Sequence, residues 1–165
     1  MKKAILVVVF IVGPGVTLCA QPSKKKVFGA GIRFGLPVND FKEFASFSIG
    51  AELQGEYYFS DIIAGVATMG YSSFLGKDYG GGKTKATSYF PVLVGARVYP
   101  VSRFFLGAQV GYGLLTSGRS SESYFNYQPQ IGYNASSLQV VLHYNGLSKN
   151  EGRLNHIAIT GIYKF

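Results

Sequence analysis

The sequence predicts an all-β fold: an eight-stranded antiparallel up-and-down transmembrane β-barrel, preceded by a cleaved signal peptide. Three observations predict it. Apolar and polar residues alternate with period two through most of the chain after residue 20, so each such strand has one greasy and one wet face. The links between these runs alternate between tight and long. The composition, with 22 glycines, 13 phenylalanines, 12 tyrosines and no tryptophan, suits aromatic-rich strands, and no later window shows a helical period.

The first segment is the leader, residues 1–20. Lys2 and Lys3 precede an apolar run from Ala4 to Val12, a break at Gly13-Pro14-Gly15 and a small residue at Ala20, the order of a secretory signal peptide. The run is too short for a membrane helix, which needs about 20 apolar residues. Cys19 offers a lipoprotein alternative, disfavoured by the bulky Leu18 directly before it. Cleavage removes the only cysteine, so the mature segment, residues 21–165, forms no disulfide. Loss of Lys2 and Lys3 takes the formal net charge from +8 to +6. A positive balance raises nucleic acid as a partner, but no aromatic-plus-basic strand motif accompanies it, and none is expected. Lys24, Lys25, Lys77, Lys83, Lys85, Arg119 and Lys149 fall in tails and loops, where they would meet lipid phosphates or a polyanionic cell surface.

The strands follow in order. In the first run Phe28, Ala30, Ile32, Phe34 and Leu36 oppose Gly29, Gly31, Arg33 and Gly35. In the second, Phe47, Ile49, Ala51, Leu53, Gly55, Tyr57 and Phe59 oppose Ser48, Gly50, Glu52, Gln54 and Glu56. The third, Ile62 to Phe74, is apolar on both faces and has no readable orientation. The fourth sets Phe90, Val92, Val94, Ala96 and Val98 against Pro91, Leu93, Gly95 and Arg97, and the fifth sets Phe104 to Leu114 against Gly107, Gln109, Gly111 and Gly113. The sixth opposes Phe125, Tyr127, Pro129, Ile131 and Tyr133 to Asn126, Gln128, Gln130 and Gly132; the seventh opposes Leu138, Val140, Leu142 and Tyr144 to Gln139, His143 and Asn145. In the last run Ile157, Ile159, Gly161, Tyr163 and Phe165 share a face against His156, Thr160 and Lys164.

Tight links are expected at Ser60-Asp61, Tyr99 to Ser102 and Ala135 to Ser137, and long polar ones around Val38 to Phe44, Gly76 to Lys85, Thr116 to Ser123 and Ser148 to Gly152. Strict alternation places both termini at one end. Which face points inward is a separate question, because a soluble ligand-carrying barrel uses the same period with its apolar face inside. Lipid outside is favoured because the seven oriented apolar faces carry no charge, and each Arg or Lys at mid-membrane would cost about 2 to 4 kcal/mol. Aromatics also cluster at the strand ends: Tyr57, Phe59, Phe104, Tyr133, Tyr163 and Phe165 at one rim, Phe90, Phe125 and Tyr144 at the other.

An eight-stranded interior is filled by side chains. Arg33, Glu52, Glu56 and Arg97 point there and should pair into a lumen charge network bridged by Gln54, Gln109, Gln128, Gln130 and Gln139. A structural role is the expectation; a gate for protons or small ions is the alternative. Glu52 and Glu56 are spaced for acid–base work, but neighbouring arginines would keep both ionised. His143 and His156 lie on adjacent strands without a nearby acid, weak as a metal site and as a catalytic pair. Gly29, Gly31, Gly35 and Gly80-Gly81-Gly82 precede no helix, so they are not phosphate loops. No catalytic, cofactor-binding or metal residue is assigned.

Phe90 to Tyr99, Gly107 to Gly113 and the terminal Ile159 to Phe165 resemble the small outer-membrane beta-barrel domain family, the OmpA/OmpX-like eight-stranded barrels, especially the Bacteroidetes type. The resemblance covers the whole mature chain. It implies an outer-membrane location in a Gram-negative bacterium with periplasmic termini, lipid and lipopolysaccharide as surroundings, and recognition of Gly161, Tyr163 and Phe165 by the barrel-assembly machinery. Members serve as anchors, adhesins, surface-defence proteins or secretion accessories. With no peptidoglycan-binding segment after the eighth strand, wall anchoring is not expected. The eight-stranded lipid A deacylases carry a lipid-facing histidine-x-serine motif; the nearest match here, His143-Tyr144-Asn145, has asparagine for serine and lies on the lumen face. The expectation is a non-enzymatic barrel that displays four outer loops for envelope integrity or surface interaction, with a protein partner at those loops. An accessory part in a secretion or transport assembly is the alternative, ahead of a lipid A-modifying enzyme or a soluble ligand-binding barrel.

Overall fold

Strand pairing begins at β1 (Lys26–Val38) and continues through β2 (Ala45–Tyr58), β3 (Ile63–Gly76), the short β4 (Asp78–Tyr79) and β5 (Gly82–Lys83), β6 (Thr87–Val101), β7 (Phe104–Ser117), β8 (Ser120–Asn134), β9 (Leu138–Lys149) and β10 (Gly152–Lys164). This computed structural model describes residues 26–38, 45–76, 78–79, 82–83, 86–101, 103–118, 120–149 and 152–165. The leader, Cys19, Lys24, Lys25, Lys77, Lys85, Arg119, Gly80-Gly81 and the link after Val38 lie outside them. β4 and β5 pair only with each other; the other eight strands close in the order β1-β10-β9-β8-β7-β6-β3-β2.

Closure is made by the first and last strands. β1 and β10 run antiparallel with Ala30 opposite Tyr163, Arg33 opposite Thr160 and Leu36 opposite Ile157. Phe165 N donates to Phe28 O at 3.0 Å, so the ladder continues to the last residue. A closed ladder leaves no strand edge with unpaired N–H and C=O groups, the condition a sheet must meet in hydrocarbon.

The apolar face is the outer one. Val94 is 58% exposed and Leu53 50%, whereas Arg97 is 1% and Glu52 4% exposed. This inverts the arrangement of a water-soluble ligand carrier, whose apolar residues line the inside. The third run takes its orientation from its neighbours. Pairing of Met69 with Leu53 and Val92 turns Ile63, Met69 and Tyr71 outward, and Ala64, Val66, Thr68, Ser72 and Phe74 inward.

Two links differ from the sequence expectation. Thr116 to Ser123 is not an open loop: β7 and β8 stay paired to Ser117 opposite Ser120, and β7 is followed by Gly118. Gly118 has φ 61°, a left-handed conformation that favours glycine at a chain reversal. Ser148 to Gly152 likewise shrinks, with Lys149 paired to Gly152. The stretches are polar on both faces because the strands continue past the apolar band, where each further ladder bond satisfies a backbone donor and acceptor. Short and long links therefore do not alternate strictly; the longer links are those after β1 and β3.

Candidate functional site

The lumen is a polar layer held between two apolar plugs. At the end where β1 begins and β10 finishes, Ala64, Tyr99, Phe105, Val141 and Ile162 pack together, with Tyr58 against them. At the opposite end Phe74, Tyr89, Leu115 and Leu147 form a second cluster, joined by Tyr124 and Leu154. Small residues make room for the rings. A Cβ on Gly132 would strike the Phe105 ring, and one on Gly113 would lie 2.5 Å from Tyr89 Cε2.

Between the plugs the structure brings Arg33, Glu52, Glu56 and Arg97 inside as two ion pairs. Arg97 Nη1 lies 3.5 Å from Glu56 Oε1, and Arg33 Nη2 pairs with Glu52 Oε2. Arg97 also donates to Gln54 Oε1 at 2.8 Å and to Gln130 and Gln139 Oε1 at 3.0 Å, while its guanidinium stands 4.4 Å above the Phe105 ring. Tyr99 donates its hydroxyl to Glu56, and Tyr58 donates to Tyr99 at 3.1 Å. The five glutamines bridge the layer: Gln54 Nε2 donates to Gln139 at 2.9 Å and Gln128 Nε2 to Gln109 at 2.9 Å, with Thr68 donating to Gln109 at 3.3 Å.

The Arg33 side is more loosely partnered. Beyond Glu52, its guanidinium reaches Gln128 Oε1 at 3.5 Å and interacts with the Tyr89 hydroxyl, and its Nε and Nη1 have no hydrogen-bond partner among the described residues. Ser48 Oγ, Ser72 Oγ, Asn126 Oδ1 and Asn145 Oδ1 are also buried without protein partners. The Arg97 side holds such groups too, at Arg97 Nε, Glu56 Oε2 and Gln130 Nε2, so the two halves differ in how many protein dipoles surround each guanidinium.

The histidines are absorbed by the same interior. His143 shares a hydrogen bond with Thr160 Oγ1 and one with Asn145 Nδ2, each 2.9 Å. His156 is held edge-on by Phe74 and Tyr89, with ring centroids 5.2 and 5.4 Å away. His143 and Asn145 are buried, so a lipid outside the barrel cannot reach them. Each lumen glutamate faces an arginine, Glu52 with Arg33 and Glu56 with Arg97.

Gly161, Tyr163 and Phe165 stand on the outer face of β10 at the rim. Tyr163 is 62% and Phe165 72% exposed, and nothing lies within 4 Å of a Cβ built on Gly161. What the sequence reading missed is the pair of plugs. Their signal was present as apolar residues such as Leu115, Val141 and Ile162 on otherwise polar faces.

No family model matches the chain, and no curated protein matches it. Solved structures do. The chain is similar to Ail, the attachment invasion locus protein of Yersinia pestis, in its complex with the heparin analogue sucrose octasulfate, at 14% identity and a TM-score of 0.62, covering 86% of this chain and 98% of that one. It is similar to the N-terminal β-barrel domain of Pseudomonas aeruginosa OprF at 10% identity and a TM-score of 0.59, covering 84% and 97%. Neisserial surface protein A matches at 9% identity and a TM-score of 0.52, covering 84% and 95%. The fold is therefore that of small outer-membrane β-barrels.

Proposed function

We propose that this chain is a non-enzymatic integral outer-membrane barrel of the OmpA/OmpX-like type, with a side-chain-filled lumen. Its polar hairpins act in envelope integrity or surface interaction. The observation that carries this reading is the closed ladder with aliphatic side chains around its circumference and paired charges on its axis. The terminal end, with Tyr57, Phe59, Phe104, Tyr163 and Phe165 exposed in a ring, faces the periplasm, and the hairpin end faces outward. On this reading Tyr163 and Phe165 are read by the barrel-assembly machinery, and residues 1–20 are removed on export.

The lumen supports a structural role. Apolar side chains cluster at both ends of the polar layer, which supports a packed lumen over an open pore. The similarity to Ail in complex with a heparin analogue supports surface interaction among the two roles. The test is expression with the native leader in a Gram-negative host. The barrel is expected in the outer-membrane fraction, with a heat-dependent shift in gel mobility and protease access at Gly118-Arg119 in intact cells. Recovery in the soluble periplasm would overturn the reading. Lipid A analysed by mass spectrometry from the same cells should be unchanged, and a deacylated product would overturn the non-enzymatic assignment.

A further inference from the structure

The terminal rim gathers two cations that make no direct ion pair among the described residues. Arg103 stands in the turn between β6 and β7 and Lys164 is the last residue of β10, yet both line one polar depression of about 470 Å³ with Tyr133, Asn134, Ala135 and Ser136. Lys164 Nζ donates to Asn134 Oδ1 and, at 2.6 Å, to the Ala135 carbonyl; Arg103 Nη1 donates to Tyr133 Oη at 3.3 Å. Glu56 acts on Lys164 only through space, in contrast to Glu122 at the other end, which lies 3.4 Å from Lys149. Lys164 is thus fixed in place by neutral oxygens, and Arg103 makes one side-chain hydrogen bond among the described residues, to Tyr133.

The surroundings say what kind of anion fits. Beside the depression, Phe104 and Tyr133 stack edge-to-face with centroids 5.1 Å apart on the outer face, and Phe104 is 54% exposed. An aromatic girdle marks the depth of lipid headgroups, with acyl chains on its apolar side. A phosphate placed at that depth meets the guanidinium in the forked geometry that arginine offers phosphates, and meets the lysine as a point charge.

We infer that Arg103 and Lys164 form a binding site for the phosphate of an anionic phospholipid, its acyl chains lying over Phe104. The lipid is anionic because the depression is lined by two cations and by no carboxylate side chain; a zwitterionic headgroup would bring an ammonium against them. The inference rests on the membrane reading above and adds to it a lipid class and a place.

The delipidated barrel in detergent is titrated by native mass spectrometry with phosphatidylglycerol, phosphatidylethanolamine and soluble glycerol phosphate. Phosphatidylglycerol is expected to bind several-fold tighter than phosphatidylethanolamine, and glycerol phosphate to be lost at equal concentration. Arg103→Gln, an exposed position outside the strands, should weaken phosphatidylglycerol about fivefold, the value of one interfacial cation, and Arg103→Lys should keep most of it. Equal binding by wild type and Arg103→Gln overturns the site, and glycerol phosphate binding as tightly as the lipid overturns the lipid assignment. Vesicle insertion with a heat-dependent mobility shift is scored for every protein. A wild type that fails to insert refutes the membrane reading, whereas insertion without preference for phosphatidylglycerol refutes this site alone.

Discussion

Two arginines share one lumen and live in different surroundings. Arg97 has Glu56, three glutamine carbonyls and the face of Phe105 around it, next to the plug of Tyr99, Val141 and Ile162. Arg33 has Glu52, one long contact to Gln128 and an interaction with the Tyr89 hydroxyl. The same charge is thus held by many protein dipoles in one half of the barrel and by fewer in the other. A buried charge is tolerated in proportion to the dipoles fixed around it, and water can supply the missing ones only where it has access.

Replacing each arginine sharpens this contrast. Arg97→Gln removes a partner from Glu56 and from three glutamine oxygens and should cost about 3 to 5 kcal/mol of unfolding free energy, read from urea titration of the vesicle-inserted barrel. Arg33→Gln removes a partner from Glu52 and from fewer other groups, and should cost less. The reverse order would mean that the number of protein dipoles around each guanidinium does not set the cost. Bilayer conductance should be unchanged in both, since the plugs remain; a conductance rise in Arg97→Gln would revive the gate.

An arginine with no partner at all is the limiting case. Val94 lies on the same strand as Arg97 and points outward in the middle of the apolar band. Val94→Arg should lose about 2 to 4 kcal/mol in vesicles, because hydrocarbon offers neither carboxylate nor water. A substitution without effect in vesicles would show that the outer face of β6 meets water.

The plug beside Arg97 can be loosened directly. Gly132→Val drives a branched side chain into the Phe105 ring and should destabilise by about 1 to 3 kcal/mol, bringing the cost of Arg97→Gln in that background closer to that of Arg33→Gln. This region also marks where the sequence stops being readable. The polar midsection was legible because a lone Arg33, Glu52 or Arg97 among glycines and amides announces its face by parity. The plugs were not, because Tyr89, Phe105 and Leu147 are apolar residues facing inward, and parity assigns a face without saying which residues will meet across the lumen. β3 was ambiguous for the same reason, since its inward Ala64 and Phe74 serve the plugs and Val66 is inward and apolar as well. The hairpin extensions of β7 to β10 were read as loops, because strands in water on both sides lose the alternation that identifies strands in lipid.

Beyond the apolar band, charge pairing should matter least, and pH can show it. The Tyr124 hydroxyl donates to Glu122 Oε2 at 2.8 Å and the Lys149 ammonium is 3.4 Å away, and these two, the hydroxyl first, hold the exposed Glu122 carboxyl below its usual range. A carboxyl whose folded value is depressed adds stability above the unfolded carboxylate range, and that contribution disappears as pH falls through the folded value. Wild type should therefore exceed Glu122→Gln only slightly in urea midpoint at neutral pH, and the difference should close as pH falls through and below the usual carboxylate range. Carboxyls common to both proteins cancel in that difference, so the closing reports Glu122 alone. Raised salt at neutral pH should shrink the same gap, whereas the Arg97→Gln deficit, shielded inside the barrel, should hardly respond. A Glu122→Gln deficit as large and as salt-insensitive as that of Arg97→Gln would mean that the hairpin end is held by buried electrostatics, and the contrast between lumen and hairpins would fail.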